Sequence, residues 1–224
     1  MAHFNLTNTD SISQITKAVN DAHADLIAVH EVTPDWTNLL EDSLSSFFPH
    51  HHTMVDIGIF GMAIYSRHAI ESIDTFFYQE IPNLKGCIKK EEELLCFLSI
   101  QTEPALNDFS LRRLKEHLSI VGAETQNFDS PTVVLGDFNS VSWSGEIKSF
   151  LEQANLTESR KGFMPYPVVS TDAMFQVPLD HIFYSDKLQC TQFENIVTTD
   201  SKHLGIIGTY SRKNLTHHVK KTAQ

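Results

Sequence analysis

The amino-acid sequence predicts an α/β fold, a single layered domain that spans residues 1–224. Three observations predict it. Helical and extended patterns alternate along the whole chain, with no stretch of linker composition and no internal repeat. The apolar runs are short enough for strands and are separated by amphipathic segments. Polar residues directly follow several of these runs, which is where open-sheet α/β enzymes usually place their chemistry.

The first half of the chain contains two predicted helices and three predicted strands. Ser11 and Gln14 form a capping-box pattern before the first helix, and Thr33 with Pro34 is a good start for the second. Strands are expected at residues 3–6, 26–29 and 59–65. The expected apolar face of the second helix consists of Trp36, Leu39, Leu40, Leu44 and Phe47.

The second half continues the alternation. Strands are predicted at residues 94–100, 132–135, 181–184 and 204–210. Leucines from Leu111 onward indicate one helix between the first two of these strands, and Ile147, Phe150 and Leu151 indicate another after the second. Residues 161–178 hold three prolines, and we expect a long loop there.

Composition limits the class of partner. The chain has 41% hydrophobic residues, an ordinary value for a globular protein, and a formal net charge of −11. Non-specific nucleic-acid binding depends on Lys and Arg that neutralise phosphates, so this balance disfavours a protein that grips long DNA by bulk charge. A nuclease with few local contacts remains compatible with it.

Cysteine usage and hydropathy say little about the compartment. Cys87, Cys96 and Cys190 are too few and too scattered for a disulfide framework or a zinc knuckle, and we expect Cys96 to be a small core residue. No apolar run approaches the roughly 18 residues of a membrane span. We expect a soluble domain, cytoplasmic by default. Its first predicted strand begins almost at Met1, which suggests, as an alternative, a soluble domain cut from a longer protein.

Glu31 ends an apolar run and precedes Val32, so it should lie at the edge of the core. An ionised carboxylate there needs a partner or a metal ion. Mg²⁺ commonly uses one or two protein carboxylates together with water and substrate phosphate. The alternative is that Glu31 helps to cap the helix that starts at Thr33, and its position alone does not choose between the two roles.

Asp137 and Asn139 follow another apolar run and are separated by one residue. In an extended segment both side chains point to the same side. A carboxylate can orient or deprotonate water, and an amide can bind an oxygen of a substrate or ligand. The alternative is an Asx-type turn after the strand, which is the stronger interpretation when this pair is considered alone.

Asp180 and His203 suggest an oriented imidazole, because a neighbouring carboxylate fixes the tautomer and favours the charged ring. Most Asp and His residues in a chain of this size form no such pair. Residues 50–52 are three consecutive histidines. Adjacent residues in regular structure cannot all face one metal ion, so we expect a solvated loop there.

Six segments, in order, resemble motifs of the endonuclease/exonuclease/phosphatase superfamily, which includes pancreatic-type deoxyribonuclease, abasic-site endonucleases and inositol phosphatases. Each motif is weak alone, but the order of all six is specific. They are Asn5 at the end of the first strand, residues 24–31 (Ala-Asp-hydrophobic-Gln-Glu in the family), residues 60–67 (Gly-x-Ala-x-x-Ser-Arg), residues 136–139 (Gly-Asp-hydrophobic-Asn), residues 179–181, and residues 201–203 (Ser-Asp-His). Trp143-Ser144 is typical of a bacterial subgroup, some of whose members have membrane-anchoring segments upstream.

The resemblance implies a four-layered α/β/β/α sandwich with two packed mixed sheets. It also implies Mg²⁺ (or Mn²⁺), held chiefly by Glu31 with Asn5 nearby. The implied catalytic residues are Asp137, Asn139, Asp180 and His203.

In that scheme Asp137 and Asn139 would position the nucleophilic water and the phosphate, and Asp180 would orient His203. Whether Asp137 or His203 removes the proton of the water stays open.

Two positions depart from the family pattern. Gln101 occupies the place of a His that contacts the phosphate, and it can form hydrogen bonds but carries no positive charge. Lys202 replaces the Asp of the last motif, a change of two charge units. Lys202 would weaken metal binding or contact a substrate phosphate, and Asp200 is a further candidate for the missing carboxylate.

We therefore expect divalent-metal-dependent hydrolysis of a phosphate ester, more readily a phosphodiester than a monoester, by in-line attack of an activated water. The expected substrate-binding residues are Gln101, Lys202 and Asn139. The alternative is a catalytically weakened member of the fold that binds a phosphorylated ligand or a protein partner. The substrate stays open among nucleic acid, nucleotides, phospholipids and inositol phosphates, and we expect a monomer.

Overall fold

The computed structural model describes residues 1–6, 12–21, 23–163, 178–196 and 205–213. Within these ranges the chain forms four helices and twelve strands. The helices are α1 (Ile12–Asp21), α2 (Pro34–Leu44), α3 (Asp108–Gln126) and α4 (Gly145–Ala154). The strands are β1 (Ala2–Asn5), β2 (Leu26–His30), β3 (His50–Met54), β4 (Met62–Ser66), β5 (Ala69–Tyr78), β6 (Ile81–Lys90), β7 (Glu93–Gln101), β8 (Thr132–Asp137), β9 (Leu156–Glu158), β10 (Asp180–Ser185), β11 (Leu188–Ile196) and β12 (Gly205–Arg212).

The strands form two six-stranded sheets, and both are mixed. The first sheet has the order β11-β12-β1-β2-β4-β3, and the second has the order β5-β6-β7-β8-β10-β9. In the first sheet β1 pairs parallel with β2 and antiparallel with β12. In the second, β8 pairs parallel with β7 and antiparallel with β10. The central strands β1 and β8 therefore carry sequence motifs at their ends, Asn5 on β1 and residues 136–139 on β8.

Three apolar clusters hold the layers together. The central cluster packs one sheet against the other, for example Ala28 of β2 and Leu135 of β8. A second cluster joins the first sheet to α1 and α2, and a third joins the second sheet to α3 and α4. Because successive strand residues face opposite sides, each sheet contributes one row of side chains to the centre and one to its helices. The layers therefore run α/β/β/α, which confirms the expected sandwich.

The second predicted helix begins where the sequence indicates, with Thr33 at the N-cap and Pro34 in the first turn. Leu40 and Leu44 are buried as expected. Leu39 and Phe47 are 49% and 41% exposed, so their assignment to the apolar face is wrong. The capping-box residue Ser11 and most of the predicted loop, residues 164–177, lie outside the described residues.

The histidine run at residues 50–52 forms part of β3, so the expected loop is wrong. β3 lies at the edge of the first sheet and pairs with β4. An edge strand has little apolar burial to reveal it, and the residues of β3 are exposed or half-buried. His51 packs instead on the ring of Tyr65, with the ring centroids 5.5 Å apart.

The β5–β6 hairpin, β9 and β11 were not predicted from the sequence.

The interpretation of the cysteines needs a correction as well. Cys87 and Cys96 lie opposite each other in the β6–β7 ladder and form a disulfide. Cys96 is buried as predicted, but strand register brings it to a partner nine residues away.

Among the described residues, none of the helices has the length and hydropathy needed to cross a bilayer.

Candidate active site

The inward-facing row of side chains changes from apolar to polar at one end of the central strands. On β8, Val133 and Leu135 belong to the core between the sheets, and Asp137 is the next residue on that face. On β2, Ala28 belongs to the same core and His30 follows it. Since strand side chains alternate with a period of two, these polar groups lie between the sheets at the end of the apolar core.

Strand register places three predicted site residues side by side in the second sheet. Gln101 of β7 and Asp180 of β10 each lie opposite Asp137 of β8, from its two sides. All three side chains are nearly inaccessible to solvent, with 2%, 5% and 3% of the residue exposed, respectively. Gln101 and Asp180, which are 36 and 43 positions from Asp137 along the chain, thus meet it because β7, β8 and β10 are neighbours.

Glu31 and Asn5 meet at the end of the first sheet. Parallel pairing sets Asn5 opposite His30, and Glu31 then leaves β2 with a positive φ of 63°. The Asn5 amide Nδ2 donates a hydrogen bond of 2.8 Å to Glu31 Oε1. The N-cap position of α2 is occupied by Thr33.

Asp137 and Asn139 form a tight turn. The Asp137 Oδ1 atom accepts a hydrogen bond of 2.9 Å from the backbone N–H of Asn139, whose φ is +44°. The Asn139 amide Nδ2 donates to the carbonyl oxygen of Thr102 over 2.7 Å. The Asx-type turn, which was the stronger interpretation of this pair considered alone, is the structure that forms. This turn still places both side chains at the same cavity.

Gly136 is required by this geometry. Its φ is +144°, a conformation that residues with a Cβ rarely adopt, and a Cβ at this position would lie 1.9 Å from the carbonyl oxygen of Ile100. It would also lie 2.7 Å from His30 Cε1. The glycine therefore allows β8 to approach both its neighbour β7 and the opposite sheet just before Asp137.

Two buried histidines connect the sheets beneath the site, and the sequence interpretation missed them. His3 Nε2 lies 3.2 Å from Asp180 Oδ1, and His30 Nε2 lies 2.7 Å from the Ser99 hydroxyl. The two rings contact edge to face, with centroids 4.5 Å apart. Burial, with a smaller contribution from His3, holds the pKa of His30 well below its usual value, so this ring stays neutral. Their inward-facing strand positions are the signal that could have revealed them.

His181 anchors the loop that carries Asn139. Its Nε2 atom lies 2.9 Å from the Ser140 carbonyl oxygen, and its ring stacks on Phe183. Desolvation by burial lowers the pKa of His181 to about 4, and hence the neutral ring donates to that carbonyl near neutral pH. The position of the loop therefore depends on His181, which belongs to the motif at residues 179–181 but was given no role from the sequence.

A cavity of about 590 Å³, named the site cavity below, opens between the two sheets at this polar end. It is lined by Glu31, Ile59, Phe60, Gln101, Thr102, Glu103, Pro104, Phe109, Ser110, Arg113, Asp137 and Asn139. The predicted residues Glu31, Gln101, Asp137 and Asn139 thus share one cavity. Asn5 is hydrogen-bonded to Glu31, and Asp180 lies opposite Asp137 in the β8–β10 ladder, so both are next to residues that line the cavity. His203 and Lys202 lie outside the described residues.

The donor set suits a hard divalent cation. Glu31 and Asp137 supply carboxylate oxygens, and Asn5 and Asn139 supply amide oxygens, which are the ligand types that Mg²⁺ prefers. Within the described part of the chain, no three His, Cys, Asp or Glu side chains form a group that could hold a metal. Mg²⁺ needs no such group, because it usually retains several waters and uses one or two carboxylates.

Comparison with known proteins identifies the family. The sequence model of the Endonuclease/Exonuclease/phosphatase family matches residues 3–201. The chain therefore belongs to this family, whose members hydrolyse phosphate esters and typically use divalent metals. Comparison with the curated protein sequences gave no match.

Solved structures share the fold at low sequence identity. TDP2 from D. rerio, complexed with a single-strand DNA product, is 14% identical with a TM-score of 0.75, over 94% of this chain and 97% of that one. A mannosyl-6-phosphatase from Bacteroides thetaiotaomicron is 14% identical with a TM-score of 0.69, over 94% and 98% of the two chains. The human Nocturnin catalytic domain with bound sulfate is 16% identical with a TM-score of 0.68, over 89% and 85%.

Proposed function

We infer that this chain hydrolyses a phosphodiester with the help of Mg²⁺ or Mn²⁺, by in-line attack of an activated water. The observation that carries the proposal is that Glu31 from the first sheet and Asp137 from the second line the same cavity. Carboxylates on opposite walls leave space between them for a cation, a phosphate and a water. Family membership supports the class of reaction.

The end of the first sheet would hold the cation. Glu31 would be its main protein ligand, and the hydrogen bond from Asn5 fixes the carboxylate in place before the cation binds. When bound, the cation would stabilise the negative charge that develops on the phosphoryl oxygens and the leaving group.

The end of the second sheet would handle the water and the phosphate. Asp137 would orient the attacking water, and the Asn139 amide, held by Thr102, would contact the phosphate or that water. Two groups are candidates to accept the proton of the water, Asp137 and the His203 imidazole, with Asp180 as the carboxylate that would orient His203.

The first experiment is a hydrolysis panel with added Mg²⁺ or Mn²⁺. The substrates are single-stranded DNA, duplex DNA, RNA, a generic phosphodiester, inositol phosphates and a phospholipid. Turnover that requires the cation is expected on at least one of them. It should fall on the order of 10²-fold or more in Asp137→Asn, Glu31→Gln and His203→Ala.

The matched control is Asp186→Asn, because this exposed carboxylate lies in the turn between β10 and β11 and does not line the site cavity. It should retain the activity of the unmodified protein. Equal activity in Asp137→Asn and Asp186→Asn would refute the assignment of the site.

Gln101 favours a second candidate function, that of a weakened member of the fold which binds a phosphorylated ligand or a protein partner. Gln101 lines the site cavity, and its buried Oε1 atom has no hydrogen-bond partner among the described residues. A buried polar atom of this kind is satisfied when a ligand donates to it. Binding of a phosphorylated ligand with no turnover above His203→Ala on any substrate would favour this candidate.

A further inference from the structure

One wall of the site cavity is apolar and has no part in the proposed chemistry. Ile59 and Phe60 line it from the segment between β3 and β4, and Pro104 and Phe109 line it from the segment that leads from β7 into α3. Both segments adjoin the polar end of the sandwich. A substrate phosphate near Asp137 would therefore have an apolar surface beside it.

The apolar side chains of this wall are more exposed to solvent than the stability of the fold requires. Ile59 is 55% exposed and Phe109 is 61% exposed, and the same two segments carry Ile57 at 93% and Leu106 at 83%. Large apolar side chains that cluster at a cavity and remain exposed to solvent mark a place where a ligand covers them. The gain is the removal of apolar surface from water on binding.

The charges around the cavity argue against a second phosphate on this wall. Its charged lining residues are Glu31, Glu103, Asp137 and Arg113. The guanidinium of Arg113 is already paired, with Nη2 at 2.9 Å from Glu103 Oε2. An anion here would meet more negative than positive charge, so an uncharged organic group fits better.

The form of the wall favours a planar ring over a flexible chain. The Arg113 guanidinium lies 5.9 Å from the centroid of the Phe109 ring, a cation–π contact that helps to hold this ring in place. The hydroxyls of Thr102 and Ser110 on the same cavity already donate to the carbonyl oxygens of Phe138 and Asn107, so the exposed face of the Phe109 ring is the feature left for a ligand. A planar ring can stack on that fixed face, whereas an alkyl chain would lose torsional freedom on binding.

We propose that this wall, formed by Ile59, Phe60, Pro104 and Phe109, is a subsite for an aromatic ring of the substrate, either an aryl group esterified to the phosphate that is cleaved or a nucleobase joined to that phosphate through its sugar. The inference rests on the proposed function, because it takes Glu31 and Asp137 as the position of the phosphate. Phe109 and Ile59 are then specificity-determining residues.

The test measures binding without turnover. Methylphosphonate, hexylphosphonate and phenylphosphonate cannot be hydrolysed, and their dissociation constants are measured by calorimetry in Mg²⁺ at millimolar ligand concentrations. Phenylphosphonate should bind about ten-fold more tightly than methylphosphonate, which corresponds to about 1.4 kcal/mol. Hexylphosphonate should bind less tightly than phenylphosphonate. A nucleoside 5′-phosphonate then shows whether the ring is a nucleobase or a simple aryl group, by whether it binds more or less tightly than phenylphosphonate.

The variants locate the preference. The double variant Ile59→Ser, Phe109→Ser should reduce the ten-fold preference to about two-fold, and both positions are exposed, so the melting temperature should stay unchanged. Phe77→Ser is the matched control, because Phe77 is 57% exposed and does not line the site cavity. Its preference should remain about ten-fold.

Three results would overturn the subsite: equal binding of hexylphosphonate and phenylphosphonate, an undiminished preference in the double variant, or no binding of any phosphonate. If the proposed function is wrong but the subsite exists, the result is different. The protein then shows no turnover, and its preference for phenylphosphonate is still reduced when Phe109 is replaced. Turnover without a ring preference would remove the subsite alone.

Discussion

His3 Nε2 lies 3.2 Å from Asp180 Oδ1, so a residue of the first sheet contacts a predicted catalytic residue of the second. Both groups are buried, at 0% and 6% side-chain exposure. A buried carboxylate requires a hydrogen-bond partner, and the imidazole N–H supplies one from across the interface. The position of Asp180 therefore depends on how the two sheets pack.

The first prediction concerns this contact. His3→Leu removes the donor and leaves an apolar side chain, whereas His3→Gln retains a donor. We expect His3→Leu to lower kcat about ten-fold with little change in KM, because a displaced Asp180 would orient His203 poorly. His3→Gln should recover most of kcat.

Steady-state kinetics on the substrate found in the panel provides the measurement, with the melting temperature as a check on folding. A purely structural role for His3 would give the same kcat in both variants after correction for the folded fraction, and that result would contradict the prediction.

The second prediction concerns the backbone before Asp137. Gly136→Ala places a Cβ against the carbonyl oxygen of Ile100 at a φ of +144°, so β8 must shift away from β7. We expect a loss of about 3 kcal/mol or more in the free energy of unfolding, measured by urea denaturation. Gly145→Ala is the control, because a Cβ there meets no atom within 4 Å and Ala favours the helix that it begins. Equal stability of the two variants would be inconsistent with the argument.

Local patterns predicted the alternation of strands and helices, and the order of the motifs implied, through the family resemblance, the sandwich and the residues expected at the site. Apolar runs that end in Glu31 and Asp137 indicate buried strands whose last inward residues are polar, and the structure places both at one cavity. The contact of His3 with Asp180 spans 177 residues and two sheets, so no local pattern contains it. The positive φ of Asn139 and the Cys87–Cys96 pair likewise follow from turn geometry and strand register, which one sequence does not reveal.

The third prediction concerns the departure at the last motif. Lys202 puts an ammonium next to His203 in the sequence, where the family has a carboxylate. Lys202→Asp changes the local charge by two units, so Mg²⁺ should bind about ten-fold more tightly by calorimetry if Lys202 opposes the metal. Lys89→Asp makes the same change in β6 and does not line the site cavity, and it should leave the affinity unchanged. Unchanged or weaker binding in Lys202→Asp would refute an inhibitory role.

The fourth prediction concerns stability in acid. His117 of α3 is 1% exposed, stacks on the Tyr78 ring, and has its Nε2 atom 3.1 Å from Asn83 Oδ1. Burial, assisted by the charge of Arg113, lowers the pKa of His117 to about 4. His181 has a pKa of about 4 for the same main reason. Both rings are therefore neutral in the folded chain at pH values where an unfolded chain would bind protons.

Between pH 6.5 and 4 the unfolded chain takes up a proton at each of these histidines and the folded chain does not, so the free energy of unfolding must fall as the pH falls through this range. Above pH 6.5 the contribution is fully retained. For His117 the loss should amount to about 3 kcal/mol by pH 4, from 1.36 kcal/mol per pKa unit. His117→Gln retains a donor to Asn83 without a titrating ring, so urea denaturation across this range should show a shallower dependence on pH. His50→Gln, at an exposed position of β3, should keep the original dependence. The same slope in His117→Gln and the unmodified protein would show that His117 is not a source of acid sensitivity.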